Sequence, residues 1–434
     1  MKARWLTLLT VILCCSACGA PSLRHKKEVN KLLAAEDFAA AEQKLEAAKD
    51  KEYKQRDALL YYLDTGTVLH DEYQAAQSDE RFALAQARID ELFTQSLTAH
   101  AGQYLINDLT VPYMPAPYEQ ALTYYYRAMN FLDRGDVPSA LVEANKAVFY
   151  LDRQPSQENG AAPFVQYFAS LVFESAGKRD DARIARTRAL EGYSQLAGTE
   201  KEHSFLSAGT PPAAQWGEVV LVHANGVLPL KVSQTIQVAW GDVLFWAQTL
   251  QEGKDADPAL QNAIMAGFMG NAITLAYPVL LPQPYRIKAS EAVTADGQIY
   301  STYLLGDLAG AAQMDLEKNK PAVLLRMALR AAAKQVAAVQ TRHAVAQASD
   351  NDSAGDLAGM FISLLGALTE KADTRQWFTL PAQLRLVRFY VPAGEQNIVL
   401  RFKDGFGNII GEHTFENVPV RPGGRVYLHY RTAK

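Results

Sequence analysis

The sequence predicts a multidomain α+β protein: an N-terminal α-solenoid of tetratricopeptide-like repeats, then an α+β region ending in a small antiparallel β-sandwich-like module. Three observations carry this expectation. Residues 118–152, YEQALTYYYRAMNFLDRGDVPSALVEANKAVFYLD, read as two helices broken at Gly135-Asp136. Small residues (Ala128, Ala140, Ala147) stand where the helices must touch, and large ones (Tyr124, Phe131, Leu132, Leu141, Phe149) fill between them. The same spacing recurs on either side, with Ala41 and Ala48 upstream and Ala182 and Ala189 downstream in the places of Ala140 and Ala147. Beyond a Gly- and Pro-containing stretch at 198–215, helical periodicity gives way to β-branched and alternating runs. The expected divisions are a signal peptide at 1–17, the repeat domain at 18–197, a linker at 198–215, an α+β region at 216–378 and the β-module at 379–434.

The chain of 434 residues is 49% hydrophobic and 21% charged, the balance of an ordinary globular protein. Its net charge of −4 supplies no basic excess, which argues against nucleic acid as a partner. The N-terminus reads as a targeting segment: Lys2 and Arg4, a short apolar run from Trp5 to Cys15, then Cys15-Ser16-Ala17-Cys18-Gly19. Small residues before a cysteine resemble the bacterial lipoprotein signal, although Cys15 stands where Leu is usual. The resemblance implies cleavage before Cys18, lipidation of its thiol, and, with Gly19 rather than Asp following, sorting to the outer membrane. The alternative is an ordinary secretory signal cut near Ala20. Cleavage at Cys18 would leave it the only cysteine, with no internal disulfide or zinc–thiolate site.

Going along the chain, residues 22–50 form the first hairpin, turning at Glu36-Asp37, and 53–73 and 79–97 form two longer helices. Three prolines in NDLTVPYMPAP (107–117) forbid a helix there, leaving Val111, Tyr113 and Met114 either packed on the helices or available to a partner. A further hairpin spans 163–196, turning at Gly177-Lys178. EVVLVH (218–223) has the unbroken apolar character of a buried strand, and Asn225-Gly226 marks a hairpin turn to a returning strand at 227–232. The charge-free run 258–285 is broken by Asn and Pro, which favours burial over membrane insertion. Strands at 285–287 and 299–304 flank Asp296-Gly297, and a long helix covers 320–347 with Pro321 in its first turn. An apolar helix at 357–368 and four strands, at 384–390, 397–403, 409–415 and 426–430, complete the chain.

The sequence holds no recognisable catalytic motif. The histidines, His25, His70, His100, His203, His223, His343, His413 and His429, show no metal-ligand spacing, and there is no G-x-S-x-G, P-loop or G-x-G-x-x-G. The expectation is therefore no catalytic residue, no cofactor and no metal. Two groups stand out as candidate binding residues. Asp373, Arg375 and Trp377 could grip a carboxylate or sugar by bidentate contact and stacking, although an internal lock is the commoner use of such an Asp–Arg pair. Tyr113 and Met114 of the proline-broken loop, beside Tyr124 and Tyr125, form the other group.

KPAVLLRMALRAAAKQVA (from Lys320) and EKADTRQWFTLPAQLRLVRFYVPAG (from Glu370), with the lipobox and the repeats, resemble a family of proteobacterial lipoproteins containing tetratricopeptide repeats. VPAGEQNIVLRF and RPGGRVYLHY are similar to surface β-modules of the PEGA type. The family resemblance carries no catalytic residues and implies the company of other envelope lipoproteins. The function expected is a non-enzymatic, outer-membrane-anchored adaptor on the periplasmic face. Its partners would be an envelope protein held by the solenoid and the membrane reached through the lipid. The alternative is binding or processing of peptidoglycan or surface glycan by the C-terminal half.

Overall fold

A computed structural model describes residues 21–98, 111–154, 160–195, 212–239, 272–349 and 372–434. The protein is a mixed helix-and-sheet structure, helical in its N-terminal part and sheet-rich in its C-terminal part. The expected signal peptide and Cys18, most of the linker and the apolar helix at 357–368 lie outside the described residues.

The N-terminal helices follow as four hairpins: α1 (Leu23–Ala34) with α2 (Phe38–Ala48), α3 (Ala58–Asp71) with α4 (Ala75–Thr98), α5 (Pro117–Asp133) with α6 (Val137–Leu151), and α7 (Ala162–Ser175) with α8 (Arg179–Gln195). Their ends are set by local chemistry. Ser22, Asp37 and Asp136 accept hydrogen bonds from the backbone N–H of His25, Ala40 and Ser139, capping α1, α2 and α6. Gly135 and Gly177 turn two hairpins at φ 72° and 73°, a conformation that penalises any residue with a Cβ. The two helices of a hairpin are not equivalent. The second helices bury a single stripe, such as Ala140, Ala144 and Ala147 on α6 or Ala182, Ala185 and Ala189 on α8. The first helices α3 and α7 are buried along almost their whole length, so something covers their other side.

That cover is the C-terminal part, whose strands are β1 (Trp216–Asn225), β2 (Leu230–Ala239), β3 (Ala272–Leu281), β4 (Ala289–Thr294), β5 (Ile299–Ser301), β6 (Tyr303–Asp307), then helix α9 (Leu308–Ser349), and β7 (Gln383–Pro392), β8 (Gly394–Lys403), β9 (Ile409–Val420) and β10 (Arg425–Thr432). One sheet has the order β10-β1-β7-β6, the second β5-β4-β8-β9, and β2 with β3 makes a separate ribbon. The two four-stranded sheets bury Val219, Leu221, Val387, Phe389, Ala292, Ile398 and Leu400 between them. On the opposite face of β1 and β7, Val220, Val222, Leu384 and Leu386 join the helical core. The molecule is thus layered as helices, first sheet, second sheet.

Several expectations need correction. The stretch 379–434 is not a separate module, because β1 runs parallel to β10 and antiparallel to β7, while β4 pairs with β8. β1 is apolar on both faces and so can be satisfied only at the interior of a sheet between two layers. The Asn225-Gly226 turn does not close a hairpin: the Gly226 N–H donates to Thr432 O, and β2 pairs with β3 instead. Residues 285–287 form no strand, and 299–304 is split at Thr302 between β5 and β6. α9 begins at Leu308, so Pro321 lies inside it rather than at its start. Of the charge-free run, β3 is described, and its Leu275 and Tyr277 are buried with Leu316, Leu324 and Met327 of α9. Among the described residues no helix is long and apolar enough to cross a membrane.

Candidate functional site

The segment from Ala372 to Ala382 enters β7 from the helical side and runs as a strap across the first helices. Three of those helices grip it in turn. Lys26 on α1, buried, donates from Nζ to Thr374 O at 2.6 Å. Glu119 on α5 accepts from Trp377 N at 3.1 Å and from Ala116 N at 2.9 Å, and it also receives the Tyr113 hydroxyl. Thr67 on α3 accepts the Trp377 indole N–H at 2.8 Å. Asp64 accepts from the Thr379 hydroxyl at 3.0 Å with one oxygen and from the Tyr53 hydroxyl at 2.9 Å with the other.

Arg375 locks this arrangement. Its Nε and Nη2 form a fork on Asp373, while Nη1 donates to Asp57 Oδ1 and to Val111 O, both at 2.8 Å. Burial pushes the Asp373 carboxyl up, but the hydrogen bonds and charge of Arg375 outweigh it and hold the group below its usual range. Arg375 is 2% exposed and Trp377 0%. The glycan-gripping use of Asp373, Arg375 and Trp377 is therefore corrected to the internal lock, since their polar atoms and ring faces are spent inside the protein. The tyrosines are corrected too. Tyr113 is buried against Glu119, Tyr125 is buried edge-on to Phe164 and Phe168, and Tyr124 is half-buried beside Tyr150. Of that group Met114 alone is open to solvent, at 45% exposure, beside a cleft of about 410 Å³. The loop packs down because its apolar side chains cover the start of α5 and the strap.

A larger cleft, of about 1320 Å³, opens where the hairpin turns meet the sheets. Tyr73, Asp133, Arg134 and Glu174 line it from the helical side, and Trp216, Tyr390, His413, Arg421 and Arg425 from the sheet side. One wall is β10, whose alternate residues all meet first helices. Arg425 bonds Glu174 Oε2 and Leu171 O on α7, and the Tyr427 hydroxyl donates to the same carbonyl. His429 Nε2 stands 3.0 Å from Asp133 Oδ2 on α5, and Arg431 Nε stands 3.6 Å from Asp71 Oδ2 on α3. A strand's period of two delivers this row from one face while Val426 and Leu428 turn to the second sheet.

At the head of the row Glu174 and Glu218 hold three arginines. Arg425 contacts both carboxylates, at 2.5 and 2.6 Å, Arg388 bridges them, and Arg186 pairs with Glu174. Arg425→Ala is expected to destabilise the protein by about 3 kcal/mol, because both carboxylates and Leu171 O lose a donor in a mostly buried site. Arg421→Ala, on the exposed rim, should leave the denaturant midpoint unchanged, and equal midpoints for the two variants would count against the clasp.

Sequence reasoning missed His70, Asp133 and His429, which the fold brings together although no spacing joins them. His70 lies against His429 with ring centroids 4.1 Å apart. Its imidazole is lowered to about 3, by burial first and by His429 second, and is neutral. The signal that could have found the new group is the polar alternation Arg425, Tyr427, His429, Arg431, a row that needs partners if it does not face water. Compared with known proteins, the chain matches no family model and no curated protein.

Proposed function

We propose that the protein is a lipid-tethered, non-enzymatic adaptor of the cell envelope. In this reading Cys18 carries the anchor in the outer membrane, the hairpins are degenerate tetratricopeptide-type repeats, and the protein binds another envelope protein on the periplasmic side. A repeat array of this kind ordinarily offers the face of its first helices to a partner. Here that face carries the strap and β10, so binding passes to the 1320 Å³ cleft beside it. The observation that carries the reading is the composition of that cleft. Tyr73, 54% exposed, with Trp216, Tyr390, Arg134 and Arg421, gives the aromatic and arginine content that interfaces favour.

The test is photo-cross-linking in whole cells from a probe placed at Tyr73, with a second probe at Phe149 on the outer face. The expected result is a discrete protein adduct from position 73 that Arg421→Glu diminishes. Adducts absent at 73 and present at 149 would move the interface to the outer helices, and adducts at neither would remove the adaptor reading. Binding of cell-wall or surface glycan is the second reading. It has lost Arg375 and Trp377 and now rests on Trp216 and Tyr390 in the same cleft. Co-sedimentation of wild type with isolated peptidoglycan, reduced by Trp216→Ala, would favour it over a protein partner.

A further inference from the structure

We propose that His70, Asp133 and His429 form a binding site for one divalent transition-metal ion of the zinc class at the edge of the large cleft. Each residue offers a ligand atom, and these atoms lie within 4.8 Å of one another. Two imidazoles and a carboxylate are a donor set suited to Zn²⁺, Co²⁺ or Ni²⁺ rather than to Ca²⁺ or Mg²⁺, which take oxygen shells.

The second observation is an orphaned atom. His429 is 5% exposed, and its Nε2 makes no hydrogen bond although Asp133 Oδ2 is 3.0 Å away. The approach has the distance of a hydrogen bond without its direction. Leaving a buried polar atom unbonded ordinarily costs about 1–3 kcal/mol. By contrast, buried His223 has both ring nitrogens occupied, by Ser290 and by Thr432, each at 2.8 Å.

The third observation is the relay behind His70, which dictates its tautomer. Gly66 O can only accept, so Ser78 Oγ donates to it, at 2.8 Å. Ser78 Oγ then accepts from Asn130 Nδ2, also at 2.8 Å. That orients the Asn130 amide so that Oδ1 faces His70 Nδ1 at 2.7 Å and accepts its proton. Nε2 of His70 is thereby left with its lone pair. A ring nitrogen held by a fixed oxygen acceptor, with the other nitrogen bare, is how proteins orient a metal-binding histidine. Asp133 ends α5 on the cleft side, with its side chain 18% exposed, so an ion held here keeps a position open to solvent or ligand.

Closing the site needs a small movement. Ligand atoms on a tetrahedral ion stand about 3.4 Å apart, from metal–nitrogen bonds of about 2.1 Å. The two imidazoles are stacked with 18° between their planes, and Asn130 holds the His70 ring, so it is the His429 ring that must turn about χ2 to aim at one centre. That turn must displace the Tyr73 ring, which lies 4.7 Å from the His429 ring and is 54% exposed.

This inference is independent of the adaptor reading, since it is tested on the purified chain alone. The full mature protein, stripped with chelator and dialysed, is titrated with ZnCl₂ by calorimetry and with CoCl₂ by visible absorption. The expected result is one equivalent bound at micromolar affinity or tighter, with the ligand-field spectrum of four-coordinate Co²⁺ on nitrogen and oxygen donors. His429→Gln and Asp133→Asn should each weaken binding tenfold or more, and Asn130→Ala about 10–100-fold through the lost relay. His413→Ala, in the same cleft but outside the group, should bind as wild type does. Absence of a stoichiometric ion overturns the proposal, as does binding that survives both ligand variants. Should those variants fold poorly by circular dichroism, the Co²⁺ spectrum of the wild type decides alone: octahedral, oxygen-only coordination sinks the site.

Discussion

Arg375→Ala is expected to lower the free energy of unfolding by about 3–5 kcal/mol, the penalty for breaking a buried ion pair from one side. The size follows from what stays behind. Asp57 is fully buried and would keep a partner in Arg56 alone, at 2.9 Å, while Asp373 would lose its fork and Val111 O its donor. Arg375→Lys should recover little, because one ammonium cannot make a planar fork on Asp373 and also reach Asp57. Asp373→Asn should be milder, since that side chain is 29% exposed and the Asp57 pair survives. Urea denaturation of the three variants, read as midpoints at unchanged slope, gives the order. A wild-type midpoint for Arg375→Ala would mean that the strap is held by Trp377 and its neighbours without the lock. The same experiment bears on function: a variant that binds glycan less only in proportion to its unfolded fraction has lost structure, not a contact.

How far each feature was legible depended on whether its cause was local. The hairpins could be read because their signals lie within a few residues: the caps at Asp37 and Asp136, the glycines at 135 and 177, the alanines at helical spacing. β1 was legible as a strand and illegible in its pairing. An apolar run such as EVVLVH records burial on both faces but names no neighbour, and its neighbours β7 and β10 come from the far end of the chain. Asn225-Gly226 misled for a related reason. A turn dipeptide sets the local path, and the strand beyond it went to β3 because Leu275, Tyr277 and Val238 share a core with α9. The candidate site divided in the same way. That Asp373 and Arg375 would pair was visible from their spacing. That Asp57 waited for Arg375, and Thr67 and Glu119 for Trp377, on three separate helices or turns was not. Nor does the alternation of β10 say whether its polar face meets water or a layer of helices, and His429 gains Asp133 and His70 as neighbours only because helices pack there.

The strap also carries a pH dependence that can be assigned to one group. Asp64 is fully buried between Tyr53 and Thr379, and burial pushes its carboxyl from 3.8 up to about 7, with the hydrogen bonds from those residues and the Lys26 charge restoring only part. The folded-state value lies above the unfolded one, so the folded protein holds the proton more tightly. The stability linked to Asp64 is therefore present in full below about pH 4 and is lost as pH rises through 7. A rise from 3.8 to about 7, at about 1.36 kcal/mol per pH unit, bounds the loss at about 4 kcal/mol. Lys26 works in a different window: burial lowers it from 10.5 to about 8, and its contribution is lost as pH falls between those values. Asp71, raised to about 6 by burial, and Glu119, also raised by burial, have the same sign as Asp64, so absolute stabilities mix all three. The difference between wild type and Asp64→Asn isolates the site. Asparagine keeps an oxygen for Thr379, offers an amide that the Tyr53 hydroxyl can accept, and never ionises. Measured by urea unfolding at intervals from pH 4 to 8, wild type should lose stability relative to the variant by up to about 4 kcal/mol, with the change steepest at about pH 5–6 and levelling off above about pH 7. Parallel curves would show that Asp64 is ionised throughout, paired with Lys26 across the strap. In the expected case the seam between α1, α3 and the strap loosens with rising pH, and amide exchange at Trp377 and Thr379, whose N–H groups bond Glu119 and Asp64, should quicken beyond the intrinsic pH effect in wild type and not in the variant.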